Sequence, residues 1–122
     1  MDIKLELIGV PVSDVDRAKA FYEQVGFHAD HDVTVSEAIR FVQMTPPGSA
    51  CSIAFGKGIT EMDPGSLDNM QVVVADIEEA YADLRARGIE VSPIDDQPWG
   101  SFVYFADPDG NRWAVQQTTP RP

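Results

Sequence analysis

The apolar positions along this chain follow one period, switch to another, and then go through the same cycle again. Residues 4–12 (Lys-Leu-Glu-Leu-Ile-Gly-Val-Pro-Val) form a nearly continuous apolar run, the pattern of a strand buried on both faces. From Ser13 the period lengthens. Val15, Ala18, Tyr22 and Val25 fall on one face of a helix, Ser13 and Asp14 supply capping oxygens, and Gly26 stands where the helix should stop. Shorter strands are expected near 28–34, 37–44 and 50–56. The second cycle predicts a strand over 69–74, a capping box of Asp76 and Glu79, and a helix with Ile77, Ala80, Tyr81 and Leu84 on one face. Gly88 ends that helix, and strands follow near 89–92, 100–106 and 112–117. Thr45-Pro46-Pro47-Gly48 and Asp107-Pro108-Asp109-Gly110-Asn111 are matching turns before the last strand of each cycle.

The two cycles are related by a shift of 62 residues, which carries Val10, Val12, Asp14, Ala18, Ala20 and Gly26 onto Val72, Val74, Asp76, Ala80, Ala82 and Gly88. The same shift carries Pro46 and Gly48 onto Pro108 and Gly110 without a gap. The chain therefore reads as one domain over residues 1–122, built from two β-α-β-β-β modules. Module one covers about 1–57, a Gly-, Pro- and Asp-rich linker about 58–68, and module two about 69–118. Residues 118–122 are expected to form a loose tail.

Charge and composition narrow the partners. The formal net charge of −11 repels phosphate backbones, so no nucleic-acid partner is expected. No apolar stretch approaches the roughly 18–20 residues of a membrane helix, so no membrane partner is expected either. The start, Met1-Asp2-Ile3-Lys4-Leu5-Glu6, lacks the basic and then apolar regions of a signal peptide. Cys51 is the only cysteine, which excludes an internal disulfide and a cysteine zinc cage and points to a cytoplasmic location. Cys51 is expected to be an inert core thiol.

Three stretches carry a resemblance: Val-Pro-Val-Ser-Asp-Val-Asp-Arg-Ala-Lys-Ala-Phe-Tyr (10–22), Val-Val-Val-Ala-Asp-Ile-Glu-Glu-Ala (72–80) and Phe-Ala-Asp-Pro-Asp-Gly-Asn-Arg-Trp (105–113). With the tandem repeat, they resemble the vicinal oxygen chelate superfamily, the glyoxalase, bleomycin-resistance and extradiol-dioxygenase group. The resemblance implies an α+β fold with a U-shaped, mostly antiparallel eight-stranded sheet, helices outside and a ligand cavity inside. It also implies a homodimer. Function does not follow from this fold alone, because it hosts many chemistries.

Metal-dependent members of that superfamily place His, Gln or Glu on the first strand of each module and Glu on the last. Counted from the matching motifs, those positions fall on Leu7 and Asn69, and on Ser52 and Ala114. Leu7 and Ala114 cannot coordinate, and Asn69 and Ser52 are weak neutral donors. Neither metal nor cofactor is expected at this site. His28 and His31, with Asp30 and Asp32, read as surface residues, because side chains three apart on a strand face opposite ways.

The expected cavity is an apolar and aromatic trough. If Ala106 pairs with Arg112, Tyr104 faces Ala114 and Phe102 faces Gln116. The repeat then brings Arg40 and Met44, with Val42 between, beside Ser52. Leu7, Asn69 and Gln71 share that face, and Trp99 stands at the mouth. A slip of one residue brings in Phe41, Gln43 and Phe105 instead. Trp113 and Phe21 are read as core. Arg40 would either meet a ligand carboxylate bidentately or pair with a surface acid. The function expected is metal-free binding of a hydrophobic or aromatic small molecule, for drug or metabolite sequestration. The alternative is a glyoxalase-like enzyme (lyase, isomerase or dioxygenase), metal-independent catalysis ranking above metal-dependent because the assigned face lacks ligands; it also lacks any His, Asp or Glu to act as a base.

Overall fold

A computed structural model describes residues 1–119 and Arg121. Its elements, in order, are β1 (Leu7–Gly9), α1 (Val15–Val25), β2 (His28–Thr34), β3 (Arg40–Thr45), β4 (Ser52–Lys57), β5 (Met70–Val73), α2 (Ile77–Ala86), β6 (Asp95–Gln97), β7 (Gly100–Ala106) and β8 (Arg112–Gln117). Each module is β-α-β-β-β, as the periodicity predicts. The eight strands form two four-stranded sheets, ordered β1-β4-β3-β2 and β5-β8-β7-β6. In each, the first strand runs parallel to the last and the other pairs are antiparallel.

The helix ends follow the sequence. Asp14 accepts from the Arg17 amide, and Asp76 accepts from the amides of Glu78 and Glu79. Gly26 takes φ 113°, a left-handed conformation that closes α1 and that glycine adopts without strain.

Two elements depart from expectation. β1 is shorter than 4–12: its parallel ladder to β4 covers Leu7–Gly9, with Val10 N donating to Ala54 O just beyond it. In module two the second strand lies at Asp95–Gln97, not 89–92. At Ser92 a side chain replaces the ladder: Ser92 N donates to Tyr104 O, while Tyr104 N donates to Ser92 Oγ.

The two sheets share one core. Val42, Met44, Ile53 and Phe55 from the first sheet cluster with Val103, Phe105, Trp113 and Val115 from the second, and Tyr22, Ile77 and Leu84 enter from the helices. Tyr22 lies against Trp113 at 5.8 Å between ring centroids, and Phe105 stacks on Trp113 with planes 4° apart. Trp113 and Phe105 are thus core residues, and Phe21 packs against Phe105. Cys51 is half-buried and stands outside this cluster, so it is not the core thiol expected from its alternation with Ser52.

A buried polar node fastens the modules together. Asp107 accepts from Tyr22 Oη (2.8 Å), from the amides of Asp109 and Asn111, and from Asn111 Nδ2. Asn111 is fully buried; its Nδ2 also donates to Pro11 O and its Oδ1 accepts from Leu67 N. Trp113 Nε1 donates to Tyr22 Oη. Burial, reinforced by Asp107, pushes the Tyr22 phenol far above its usual value, so it stays a donor. Asp109 also accepts from Ser13 N and Ser13 Oγ, beside the start of α1. The Asp-Pro-Asp-Gly-Asn turn of module two therefore clamps module one.

Arg40 is drawn to the helix side. Its Nε and Nη2 make a two-pronged pair with Asp32, each 2.9 Å, and Nη1 reaches Asp16 at 2.7 Å. Lys19 also binds Asp32. Hydrogen bonds from Arg40, then Lys19, hold the Asp32 carboxyl well below the ordinary range. A depressed carboxyl stabilises the fold above the ordinary carboxylate range and loses that contribution as pH falls through it toward the depressed value. The stability gap between the wild type and Asp32→Asn is therefore expected to be wide at pH 7 and to narrow by about pH 3, read by thermal melts. An equal gap at both would count against this pairing. In the tail, Arg121 pairs with Asp96 and Glu78, so that residue is tethered rather than loose; Pro120 and Pro122, also assigned to the tail, lie outside the described residues.

Candidate functional site

Each sheet has one face in the shared core and one turned away from it, the open face. On the first sheet Leu7 lies opposite Ser52, Gly9 opposite Ala54, and Gln43 opposite Ala54 on the other side. Phe41, Gln43 and Thr45 alternate onto this face, whereas Arg40, Val42 and Met44 turn to the helices. That is the one-residue slip, and it places Arg40 and Met44 outside the trough. On the second sheet Tyr104 pairs with Ala114, Phe102 with Gln116, and Gln71 with Ala114, in the expected register.

The cause is a hidden difference between the hairpins. Ile53 pairs with Met44, and Val115 pairs with Val103. The last strands keep the 62-residue offset, but their partners differ by 59, so the second hairpin is three residues longer. The first strands differ by 64: Leu7 opposes Ser52 and Gln71 opposes Ala114. Gln71, not Asn69, is therefore the structural mate of Leu7. Asn69 precedes β5 and is exposed.

A bulge in β2 changes what the first open face carries. Ala29 pairs with Met44 and His31 with Gln43, leaving Asp30 as the extra residue. His28 and His31 therefore share one side, opposite Thr45 and Gln43, contrary to the alternation expected of residues three apart. Asp30 joins them: Thr45 Oγ1 donates to Asp30 Oδ2, and Thr45 Oγ1 and Ser52 Oγ lie 2.6 Å apart. His28 Nε2 stands 3.8 Å from Asp30 Oδ1. Strict alternation concealed this group; nothing in the sequence marked the bulge.

The second open face is aromatic and amide-rich. Phe102 and Tyr104 stack with planes 4° apart and centroids at 6.0 Å. Tyr104 Oη donates to Asp95 Oδ2 (3.2 Å). Burial, then Asp95, raises the Tyr104 phenol, which keeps its proton at neutral pH. Gln71 Nε2 donates to Gln116 Oε1, and Gln116 Nε2 donates to Trp99 O. Trp99 is 63% exposed in the hairpin between β6 and β7.

The residues at the superfamily's metal positions, by register, are Leu7, Ser52, Gln71 and Ala114. Two apolar side chains, a hydroxyl and an amide do not fit a divalent ion. Among the described residues, no three His, Cys, Asp or Glu side chains are grouped to hold one. No described helix is long and apolar enough to cross a membrane.

A cleft of about 470 Å³ lies elsewhere: on the helix side, between Pro46–Ser49, the end of α1, β5 and α2. Asp83 is its only charged lining residue. It follows the seam between the modules and lacks the convergent polar groups of a binding pocket. The open faces carry those groups, and Leu7, Tyr104 and Trp99 are exposed on them.

The sequence pattern of the Glyoxalase/Bleomycin resistance protein/Dioxygenase superfamily matches residues 4–115. Among solved structures, TnmS3, an antibiotic binding protein from Streptomyces sp. CB03234, is 36% identical, covers 98% of this chain and 99% of its own, and superposes with a TM-score of 0.86. A glyoxalase/bleomycin resistance protein from the same organism is also 36% identical, over 93% of this chain and all of its own, with a TM-score of 0.80. The uncharacterized protein YetH of Bacillus subtilis is 26% identical over 90% of this chain and 94% of its own. The shared motifs, the paired β-α-β-β-β modules and these matches together make the chain a member of the glyoxalase, bleomycin resistance protein and dioxygenase superfamily.

Proposed function

We propose that this protein is a metal-free, cytoplasmic binder of a flat hydrophobic or aromatic small molecule, which it sequesters between open faces contributed by two copies of the chain. The observation that carries the reading is the second open face, where the stacked Phe102 and Tyr104 are flanked by Gln71, Gln116 and Trp99. Tyr104, 39% exposed and backed by the buried Phe102, offers an aromatic surface, and neighbouring amides give a ligand orientation. The similarity to an antibiotic binding protein supports a ligand of antibiotic size.

The pairing of copies rests on the sheet edges. β2 and β6 are guarded edges: β2 carries a bulge with His28, Asp30 and Asp32, and β6 carries Asp95 and Asp96 before Pro98. β1 (Leu-Ile-Gly) and β5 (Met-Gln-Val-Val) carry no charge, and Val73 is 65% exposed. Upstream of β1, Ile3 and Leu5 are also exposed. β1 of one copy against β5 of the other would set the first open face of one beside the second open face of its partner. Each site would then have two walls.

Metal-free catalysis is the second reading, favoured by His28 and Asp30 on the first open face. It ranks lower because their 3.8 Å separation is beyond hydrogen-bond reach, and no base is thereby oriented.

Titration with anthracene derivatives, followed through the fluorescence of Trp99 in a Trp113→Phe background, tests the binding reading. Saturable quenching with a micromolar Kd is expected (~−8 kcal/mol). Absence of any saturable change with every probe would overturn it.

A further inference from the structure

The hydroxyl chain on the first open face has a direction, and that direction selects a ligand. Thr45 has one hydroxyl hydrogen, and it is committed to the Asp30 carboxylate, which only accepts. The 2.6 Å contact between Thr45 and Ser52 therefore has Ser52 as donor. Ser52 is only 5% exposed and its hydrogen is also used. Ser52, Thr45 and Asp30 thus have no free donor left among them. What they present outward is acceptor capacity, ending in the Asp30 carboxylate, whose side chain is 28% exposed. The bulge that puts Asp30 on this face breaks the strand alternation, and Thr45 fixes its carboxylate there.

We infer that Ser52, Thr45 and Asp30 form a subsite for a hydrogen-bond donor on the ligand, an ammonium or hydroxyl group attached to the flat aromatic body. This rests on the binding reading above and deepens it. Leu7, directly opposite Ser52 and 40% exposed, supplies the apolar contact beside the subsite. Gln43 and His28 border it; Gln43 both donates and accepts, and His28 is largely solvent-exposed. An ammonium would gain a charge-assisted bond to Asp30. A carboxylate at the same place would meet Asp30 as a like charge, with no free donor on Ser52, Thr45 or Asp30 to offset it.

One set of ligands tests this: 9-(aminomethyl)anthracene, 9-anthracenemethanol, 9-methylanthracene and 9-anthracenecarboxylate, which share one ring system. Kd values are measured by fluorescence at pH 8, where imidazoles are ordinarily neutral. The wild type is expected to bind the amine about tenfold more tightly than the methyl compound, the alcohol in between, and the carboxylate most weakly. Asp30→Asn and, separately, Thr45→Val should collapse the amine-to-methyl ratio toward one. If the ratio survives in both folded variants, it comes from the overall charge of −11 and the inference is overturned. If the methyl compound binds but the four are not discriminated, the inference fails while the binding reading stands. If none binds, both fail.

Discussion

Asn111→Ala is expected to lower the unfolding free energy by about 3 kcal/mol, a large part of the 5–15 kcal/mol typical of a domain. Asn111 is buried and uses its whole amide: Nδ2 donates to Pro11 O and Asp107 Oδ2, and Oδ1 accepts from Leu67 N. Alanine would leave the Leu67 amide without a partner, at about 1–3 kcal/mol for a buried group, and would strip one donated bond each from the Asp107 carboxylate and from the Pro11 carbonyl, which keeps only Gly65 N. The effect reaches both modules, because Pro11 leads into α1 and Asp107 holds Tyr22. Asn111→Asp offers no rescue. It keeps an acceptor for Leu67 but loses both donated bonds and sets a second carboxyl beside Asp107. Urea denaturation measures the loss, and a change below about 1 kcal/mol would show that the node is not a clamp.

Val73→Pro is expected to separate the two copies and abolish ligand binding, while the chain stays folded. Amides alternate sides along a strand. Val74 N donates inward to Gln116 O, so the Val73 amide points to the free edge of β5. Proline there removes a donor that β8 does not use and is tolerated on an edge strand. A substitution within the chain's own ladder would unfold the protein; this one strikes only what lies beyond the edge. Far-UV circular dichroism should be unchanged, and sedimentation should give a monomer. A Val73→Pro dimer that still binds would place the partner on another surface.

Much of the fold was legible in the sequence because its periods are clean. The helix caps Asp14, Gly26 and Asp76 and the β-α-β-β-β order of each module follow from patterning and from the repeat. The open face was less legible, for three local reasons. Pro46 and Gly48 align with Pro108 and Gly110 without a gap, which concealed the three-residue difference between hairpins and assigned Arg40 and Met44 to the wrong face. The bulge at Asp30 reverses the alternation that had separated His28 from His31, and no residue type announces it. At Ser92 a side-chain bond replaces a ladder bond, and the second strand of module two starts at Asp95. The role of Asp107 and Asn111 was hidden for another reason: a turn motif shows its own bends, not the partners 44 to 100 residues away to which Asn111 is bonded.

The central claim is that the binding site needs two copies of this chain. Native mass spectrometry of the protein with 9-methylanthracene tests it most directly. A species of twice 13.4 kDa carrying two ligands, one for each pairing of a first and a second open face, is expected, with no ligand on the 13.4 kDa species. A 13.4 kDa chain that carries the ligand by itself would contradict it.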